Sequence, residues 1–227
     1  MELDLKRFNL REVNEKLQNL DRKQNQRDFT ITNPEGNHAI CAGLTEEMNV
    51  TIKGHVGYYC AGMNQKAKIT IDGNVGTGVA ENMMSGRVHV KGNASQSAGA
   101  TAHGGLLIID GDASSRCGIS MKGVNIVVKG SVGHMSGFMS QSGNLVVCGN
   151  AGEALGDSLY ETNIYIKVNV KSLDSYYIEK KMDKNHIKKL NKFLKEAHIK
   201  NLKAENFKRY GSARKLYNFK VDNIGNY

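Results

Sequence analysis

Val50-Thr51-Ile52-Lys53-Gly54 is the first of a series of similar stretches in this chain of 227 residues. Ile69-Thr70-Ile71-Asp72-Gly73, Val88-His89-Val90-Lys91-Gly92, Leu107-Ile108-Ile109-Asp110-Gly111, Ile126-Val127-Val128-Lys129-Gly130 and Leu145-Val146-Val147-Cys148-Gly149 follow, each 19 residues after the last. Ile164-Tyr165-Ile166-Lys167 keeps the interval and lacks the glycine. A fixed period near 20 residues marks a repeat architecture. The first and third residues are always Val, Ile or Leu and are expected to point inward, while the variable second residue faces outward. After the glycines come His55, Asn74, Asn93, Asp112, Ser131 and Asn150, read here as turn residues that tolerate positive φ. Val56, Val75, Ala94, Ala113, Val132 and Ala151 then turn inward again. Each rung reads as strand, bend, short strand, bend, and stacked rungs share one core. Nineteen residues without a six-residue rhythm point to an all-β solenoid, a right-handed parallel β-helix, rather than a left-handed hexapeptide helix.

The fourth residues run Lys53, Asp72, Lys91, Asp110, Lys129, Cys148, Lys167. In register this predicts a ladder of alternating charge, which opposes a slip of one rung. A helix is expected within residues 5–20, from Leu5, Phe8, Leu10, Val13, Leu17 and Leu20. Phe29 to Thr32 reads as a strand, and Asn33-Pro34-Glu35-Gly36 as a turn. In the tail, Leu190, Phe193, Leu194, Ala197 and Leu202 share a helical stripe among lysines. The two terminal segments are expected to cover the ends of the stack.

Residues 1–170 hold 16 Lys/Arg and 16 Asp/Glu, and residues 171–227 hold 15 and 6, so the net charge of +9 lies wholly in the tail. This divides the chain into an N-terminal cap helix with its leading strands (1–49), the β-helix (50–170) and a basic, partly helical tail (171–227). Residues 1–20 lack the apolar core of a signal peptide, and no apolar run is long enough to span a membrane. Four cysteines without a CxxC pair suit a reducing cytoplasm.

No catalytic, cofactor-binding or metal-binding residue is expected. Gly76-Thr77-Gly78-Val79-Ala80-Glu81 begins like a dinucleotide fingerprint but lacks its last glycine. Cys60 and Cys117 hold equivalent rung positions three rungs apart, beyond shared-ligand reach, and Cys41 and Cys148 are read at other positions. His38, His55, His89, His103 and His134 fall at different offsets, without metal-site spacing. In Gly133-His134-Met135-Ser136-Gly137 the serine stands one place too late for a nucleophile elbow. Phe193, Phe207, Tyr210 and Tyr217 interleave with lysines as on some RNA-binding surfaces, but no nucleic-acid module motif accompanies them. A stripe docked on the β-helix or on a partner is preferred, with neither nucleic acid nor membrane as partner.

Gly130-Ser131-Val132-Gly133-His134-Met135-Ser136-Gly137 and Gly149-Asn150-Ala151-Gly152-Glu153-Ala154-Leu155-Gly156 resemble the GxxGxxxG repeat of the C-terminal (GXGXG) domain of the glutamate synthase large subunit. Gly54-His55-Val56-Gly57-Tyr58-Tyr59, Glu81 to Arg87, Ser115 to Gly123 and Gly156 to Tyr160 are similar to the same family, and the likeness spans roughly residues 5–170. Ser95 and Ser114 depart from it where the second glycine belongs. Gly211 to Leu216 and Phe219 to Tyr227 resemble that domain's end loosely. The resemblance implies a stand-alone, non-catalytic subunit that positions a glutaminase and a synthase carrying FMN and an iron–sulfur cluster, with no cofactor of its own. The β-helical subunit of formylmethanofuran dehydrogenase and a chain of N-methylglutamate synthase are similar to it as well. The tail and the Met83-Met84-Ser85-Gly86-Arg87 segment favour the glutamate synthase type over the first of these.

Overall fold

A computed structural model describes residues 1–21, 25–173 and 176–213. Their order is β1 (Glu2–Asp4), α1 (Leu10–Gln18), β2 (Asp28–Thr32), β3 (Asn49–Lys53), β4 (Lys68–Ile71), β5 (Arg87–Val90), β6 (Leu106–Ile109), β7 (Lys122–Val128), β8 (Ser142–Val147), β9 (Asn163–Ile166), β10 (Tyr177–Lys180), α2 (Lys184–Glu196) and β11 (Lys208–Ser212). One sheet runs β1 to β9 in sequence order and closes with β11 and then β10. From β3 to β9 the strands are parallel and the sequence repeat sets their register: Val50 pairs with Ile69, Ile69 with Val88, and so on to Leu145 with Ile164. A second column of parallel bridges joins Val56, Val75, Ala94, Ala113, Val132, Ala151 and Val170. The fold is therefore a parallel β-helix. Its ladder reaches beyond residues 50–170, with β1 and β2 before it and the β11–β10 pair after it.

The inward residues of the strands are buried in one continuous core, as the repeat requires. The glycines have a different cause from the one expected. Gly73, Gly92, Gly111, Gly130 and Gly149 are not in the left-handed region, nor are the residues that follow them. A Cβ at Gly73 would lie 2.5 Å from the Gly54 carbonyl oxygen, and one at Gly149 would lie 2.5 Å from Ser131 Oγ. At Gly92, Gly111 and Gly130 it would collide with the side-chain oxygens of Asn74, Asn93 and Asp112. These oxygens are fixed because each accepts the backbone N–H of its counterpart one rung on. Asn74 Oδ1 takes Asn93 N–H, Asn93 Oδ1 takes Asp112 N–H and Asp112 Oδ1 takes Ser131 N–H, at 2.7–2.8 Å. His55 Nδ1 starts the column, accepting from Asn74 N–H at 2.9 Å. At these five glycines the close approach of the preceding rung, rather than a turn conformation, excludes a side chain; Gly54, the first of the series, does have positive φ.

Positive φ occurs on the third side of each rung, at alternate positions. Tyr59, Ala61 and Met63 carry it on one rung, Ser97, Gly99 and Thr101 two rungs later, and Met135, Gly137 and Met139 after two more. A non-glycine residue there costs about 1–2 kcal/mol. The backbone is held by bonds running alternately up and down the stack: Ser97 N–H donates to Ser115 O, Gly99 N–H to Val79 O and Thr101 N–H to Ile119 O. The rung thus has a third side that the strand-and-bend reading did not include.

The charge ladder forms only in pieces. Lys53 pairs with Asp72, and Lys129 Nζ lies 2.7 Å from Asp110 Oδ1. His89 Nε2 contacts the same oxygen at 2.8 Å. Lys91 joins no ion pair among the described residues, while Asp72 pairs with Lys53 and Asp110 with Lys129 and His89.

Both ends are covered. The N-terminal helix starts at Leu10, not near residue 5, because Asn9 caps it: Asn9 Oδ1 accepts Glu12 N–H and the Glu12 carboxylate accepts Asn9 N–H. Leu5 lies in the turn after β1, packed against the core, and Phe8 is exposed. Val13 and Leu17 of α1 pack into the core, and Asn14 bonds both Ala39 O and Cys41 N–H at 2.9 Å. At the other end, β11 pairs antiparallel with β9, and the stacked rings of Tyr177 and Tyr210 join the core.

The helix of the tail covers a flank rather than an end. Ile108, Val127, Val146 and Tyr165, the outward-facing second residues of the repeat units within β6 to β9, are buried with Leu190, Phe193, Leu194, Ala197 and Phe207 in a second cluster. Each large side chain buried there contributes about 1.5–3 kcal/mol. Thr51, Thr70 and His89, at the same position on earlier rungs, stay half-buried. The shift from polar to apolar at this position in the sequence marks the footprint of α2. Arg87 donates to the Glu196 carbonyl at 2.8 Å and so caps the helix C-terminus with a cation. Asp183 caps its N-terminus, bonding His186 N–H at 2.9 Å.

Candidate functional site

The weak motifs of the sequence are absorbed by rung stacking. In Gly76–Glu81 the N–H of Gly76 bonds Val56 O, that of Gly78 bonds Gln96 O and that of Ala80 bonds Cys60 O, which leaves none of the three to cradle a phosphate. Ser136 is buried, and its hydroxyl donates to Gly133 O at 2.9 Å. It holds a bend and does not meet a histidine.

All four cysteines are free and buried. Cys41 lies one repeat before Cys60, so it shares the rung position of Cys60 and Cys117 rather than standing elsewhere. Burial raises the thiols of Cys60 and Cys117 to about 12. Burial, with Cys60 adding to it, puts that of Cys41 well above the ordinary range. Burial also raises Cys148 to about 11, against the pull of Lys167 and Lys129. None is activated as a nucleophile.

The histidines remain separate. His55 belongs to the side-chain column, His38 accepts Tyr58 N–H at 3.0 Å, and His103 and His134 are exposed. Of these five, His89 alone is in an ion pair with a carboxylate, Asp110; in the tail, His186 Nε2 lies 3.9 Å from Asp183 Oδ2. Burial by itself would raise Asp110, but the bonds from Lys129 and His89 outweigh it and hold the carboxyl below its usual range. This trio is an acid–base pair neutralised by a lysine. Among the described residues no group of three or more His, Cys, Asp or Glu is placed to hold a metal ion.

The outer surface offers two distinctive faces. Tyr58, Tyr59 and Met63 are each about half exposed, with Met84 on the next rung. The ring of His38 stacks on Tyr58 at 4.5 Å and 8°. Gly76 and Gly78 admit the tyrosine rings: a Cβ on either would stand 2.8 Å from ring carbon Cδ1 of Tyr58 or Tyr59. The sequence signal for this face is a break in the repeat, since the equivalent pairs are Thr77-Gly78, Gln96-Ser97 and Ser115-Arg116. The second face is the lysine side of α2, where Lys184, Lys188, Lys189, Lys192 and Lys195 are exposed. Phe193, Phe207 and Tyr210 are buried and unavailable for stacking on bases, and Tyr217 lies outside the described residues. So does nearly all of the loosely similar chain end, from residue 214 on. A groove of 590 Å³ beside β3 and β4 is lined by both signs of charge, including Glu46, Glu47, Lys66 and Lys68. No helix among the described residues is long and apolar enough to cross a membrane.

No protein-family model matches the chain, and no solved structure matches it. Protein GlxC of Rhizobium meliloti (strain 1021) is 54% identical over 225 residues, covering 99% of this chain and 99% of its own. The match spans the repeats, the caps and the tail alike, and the chain belongs to the GlxC protein family.

Proposed function

We propose that the chain is a non-catalytic scaffold subunit of a multi-subunit glutamate synthase. It docks a glutaminase chain and an FMN- and iron–sulfur-dependent synthase chain in the cytoplasm. Its contribution to the reaction is positional: it holds two active sites so that ammonia released at one reaches the other. The observation that carries this reading is what the GxxGxxxG glycines do. A Cβ at Gly133 would lie 2.7 Å from Ser115 N, one at Gly152 would lie 2.8 Å from Gly133 C, and one at Gly156 would lie 2.9 Å from Tyr177 Cζ. The motif that resembles the glutamate synthase domain therefore encodes stacking, which leaves the outer faces for partners. Arg87, from the Met-Met-Ser-Gly-Arg segment, also grips α2 of the tail.

The test is affinity isolation of the tagged full chain from its native extract, with mass spectrometry of the retained chains. A glutaminase-like chain together with an FMN-binding synthase supports the reading. The substrates turned over by that complex separate glutamate from N-methylglutamate synthesis. Molybdenum- or tungsten-enzyme subunits would reassign the chain to formylmethanofuran chemistry, and recovery of the chain alone would refute the scaffold role.

A further inference from the structure

The outward ridge of α2 is made of lysine. Lys184, Lys188, Lys192 and Lys195 follow at i, i+4, i+8 and i+11, which is one line along a helix, and all four are exposed. The line is about 16 Å long at 1.5 Å per residue. It cannot roll away, because Leu190, Phe193 and Leu194 anchor the other side of the helix on β6 to β9 and Arg87 holds its end. Like charges at i, i+4 repel within a helix, so this spacing does not serve the helix itself. Glu196, the one acidic residue of α2, reaches Lys192 at 3.8 Å. Residues 176–213 hold eleven Lys/Arg against four Asp/Glu, while residues 1–170 balance at 16 each.

We infer that this ridge is the docking surface for an acidic face of a partner protein chain, an inference that rests on the scaffold reading above. The apolar stripe of α2 is already buried, and a helix lying in a membrane interface needs that stripe free. The ridge carries no aromatic ring on which bases would stack and no arginine fork matched to phosphate. What it presents is a row of point charges on a rigid support. Such a row selects a complementary row of carboxylates and fixes the orientation of docking.

The experiment uses the native complex, isolated through the tagged full chain and treated with a carbodiimide, which joins a lysine amine to a contacting carboxylate. Cross-links are expected from at least two of the four lysines to Asp or Glu of a partner chain. The combined variant Lys184→Glu, Lys188→Glu, Lys192→Glu, Lys195→Glu should retain that chain about tenfold less well or worse, and arginine at the same four sites should retain it. All four side chains are exposed, and an unchanged melting temperature of the variant verifies that the fold survives. Partner chains that bind the glutamate variant normally, and cross-link only through other lysines, would overturn the inference and leave the scaffold reading standing. Retention abolished by nuclease, or ridge-dependent binding to anionic phospholipid vesicles instead of to a chain, would also overturn it. A chain recovered without partners would overturn both.

Discussion

Gly111→Ala is expected to destabilise the protein by about 2–4 kcal/mol. The new methyl would collide with Asn93 Oδ1 and stand 3.0 Å from the Gly92 carbonyl oxygen. Gly111 is outside the left-handed region, so backbone conformation adds nothing and the cost is contact alone. Turning the Asn93 carboxamide aside gives up its 2.8 Å bond from Asp112 N–H, worth about 1 kcal/mol. The remaining contacts add about 1–3 kcal/mol of overpacking. Asn93→Ala alone loses the bond and is expected to cost about 1 kcal/mol. In the double variant the collision with Oδ1 is gone and the bond is counted once, so the cost should fall short of the sum by about 1–2 kcal/mol. Urea unfolding followed by circular dichroism reads all four proteins. The chain has no tryptophan, so tyrosine fluorescence provides the second probe. Strict additivity of the two single changes, or a neutral Gly111→Ala, would refute the account of the column.

Burial and charge set the remaining expectations. With Cys60 and Cys117 raised to about 12 and Cys148 to about 11, a disulfide reagent at pH 8 should titrate no thiol rapidly in the folded protein and all four in denaturant; one fast thiol would contradict the packing. Because the Asp110 carboxyl is held below its usual range, its pairing stabilises the fold above the unfolded value of about 3.9 and is lost as pH falls through the folded value. Asp110→Asn should therefore lower the melting temperature at pH 7, by up to about 1 kcal/mol in stability, and the gap should narrow on acidification; a gap that widens in acid would reverse the sign. Phe193→Ala should cost about 3–5 kcal/mol within the α2 cluster. Hydrogen exchange should then speed up across Lys184–Glu196 while the strands β3 to β5 keep their protection, and uniform loosening would show that α2 does not dock as a separate unit.

The 19-residue interval was enough by itself to determine the parallel register. A strand of inward Val, Ile or Leu has one position at which its neighbour repeats it, so Val50 had to lie beside Ile69 and Leu145 beside Ile164. The apolar stripe of Leu190, Phe193 and Leu194 was equally legible, because helical spacing alone marks it. What covers that stripe was not. Ile108, Val127, Val146 and Tyr165 lie outside the core, and only the tertiary structure brings α2 against them. The candidate surfaces divide in the same way. The lysines of the tail are visible in composition, whereas their alignment into one exposed ridge depends on which side of α2 is buried. Tyr58 and Tyr59 break the repeat in the sequence, yet their exposure depends on the backbone of the third side. That side was hidden because nothing in Tyr59, Ala61 and Met63, or in Ser97 and Thr101, announces positive φ. These residues disfavour that conformation on their own, and hydrogen bonds to the rungs above and below supply the compensation. A conformation stabilised by neighbours one rung away is a property of the stack, and no local stretch of sequence contains it.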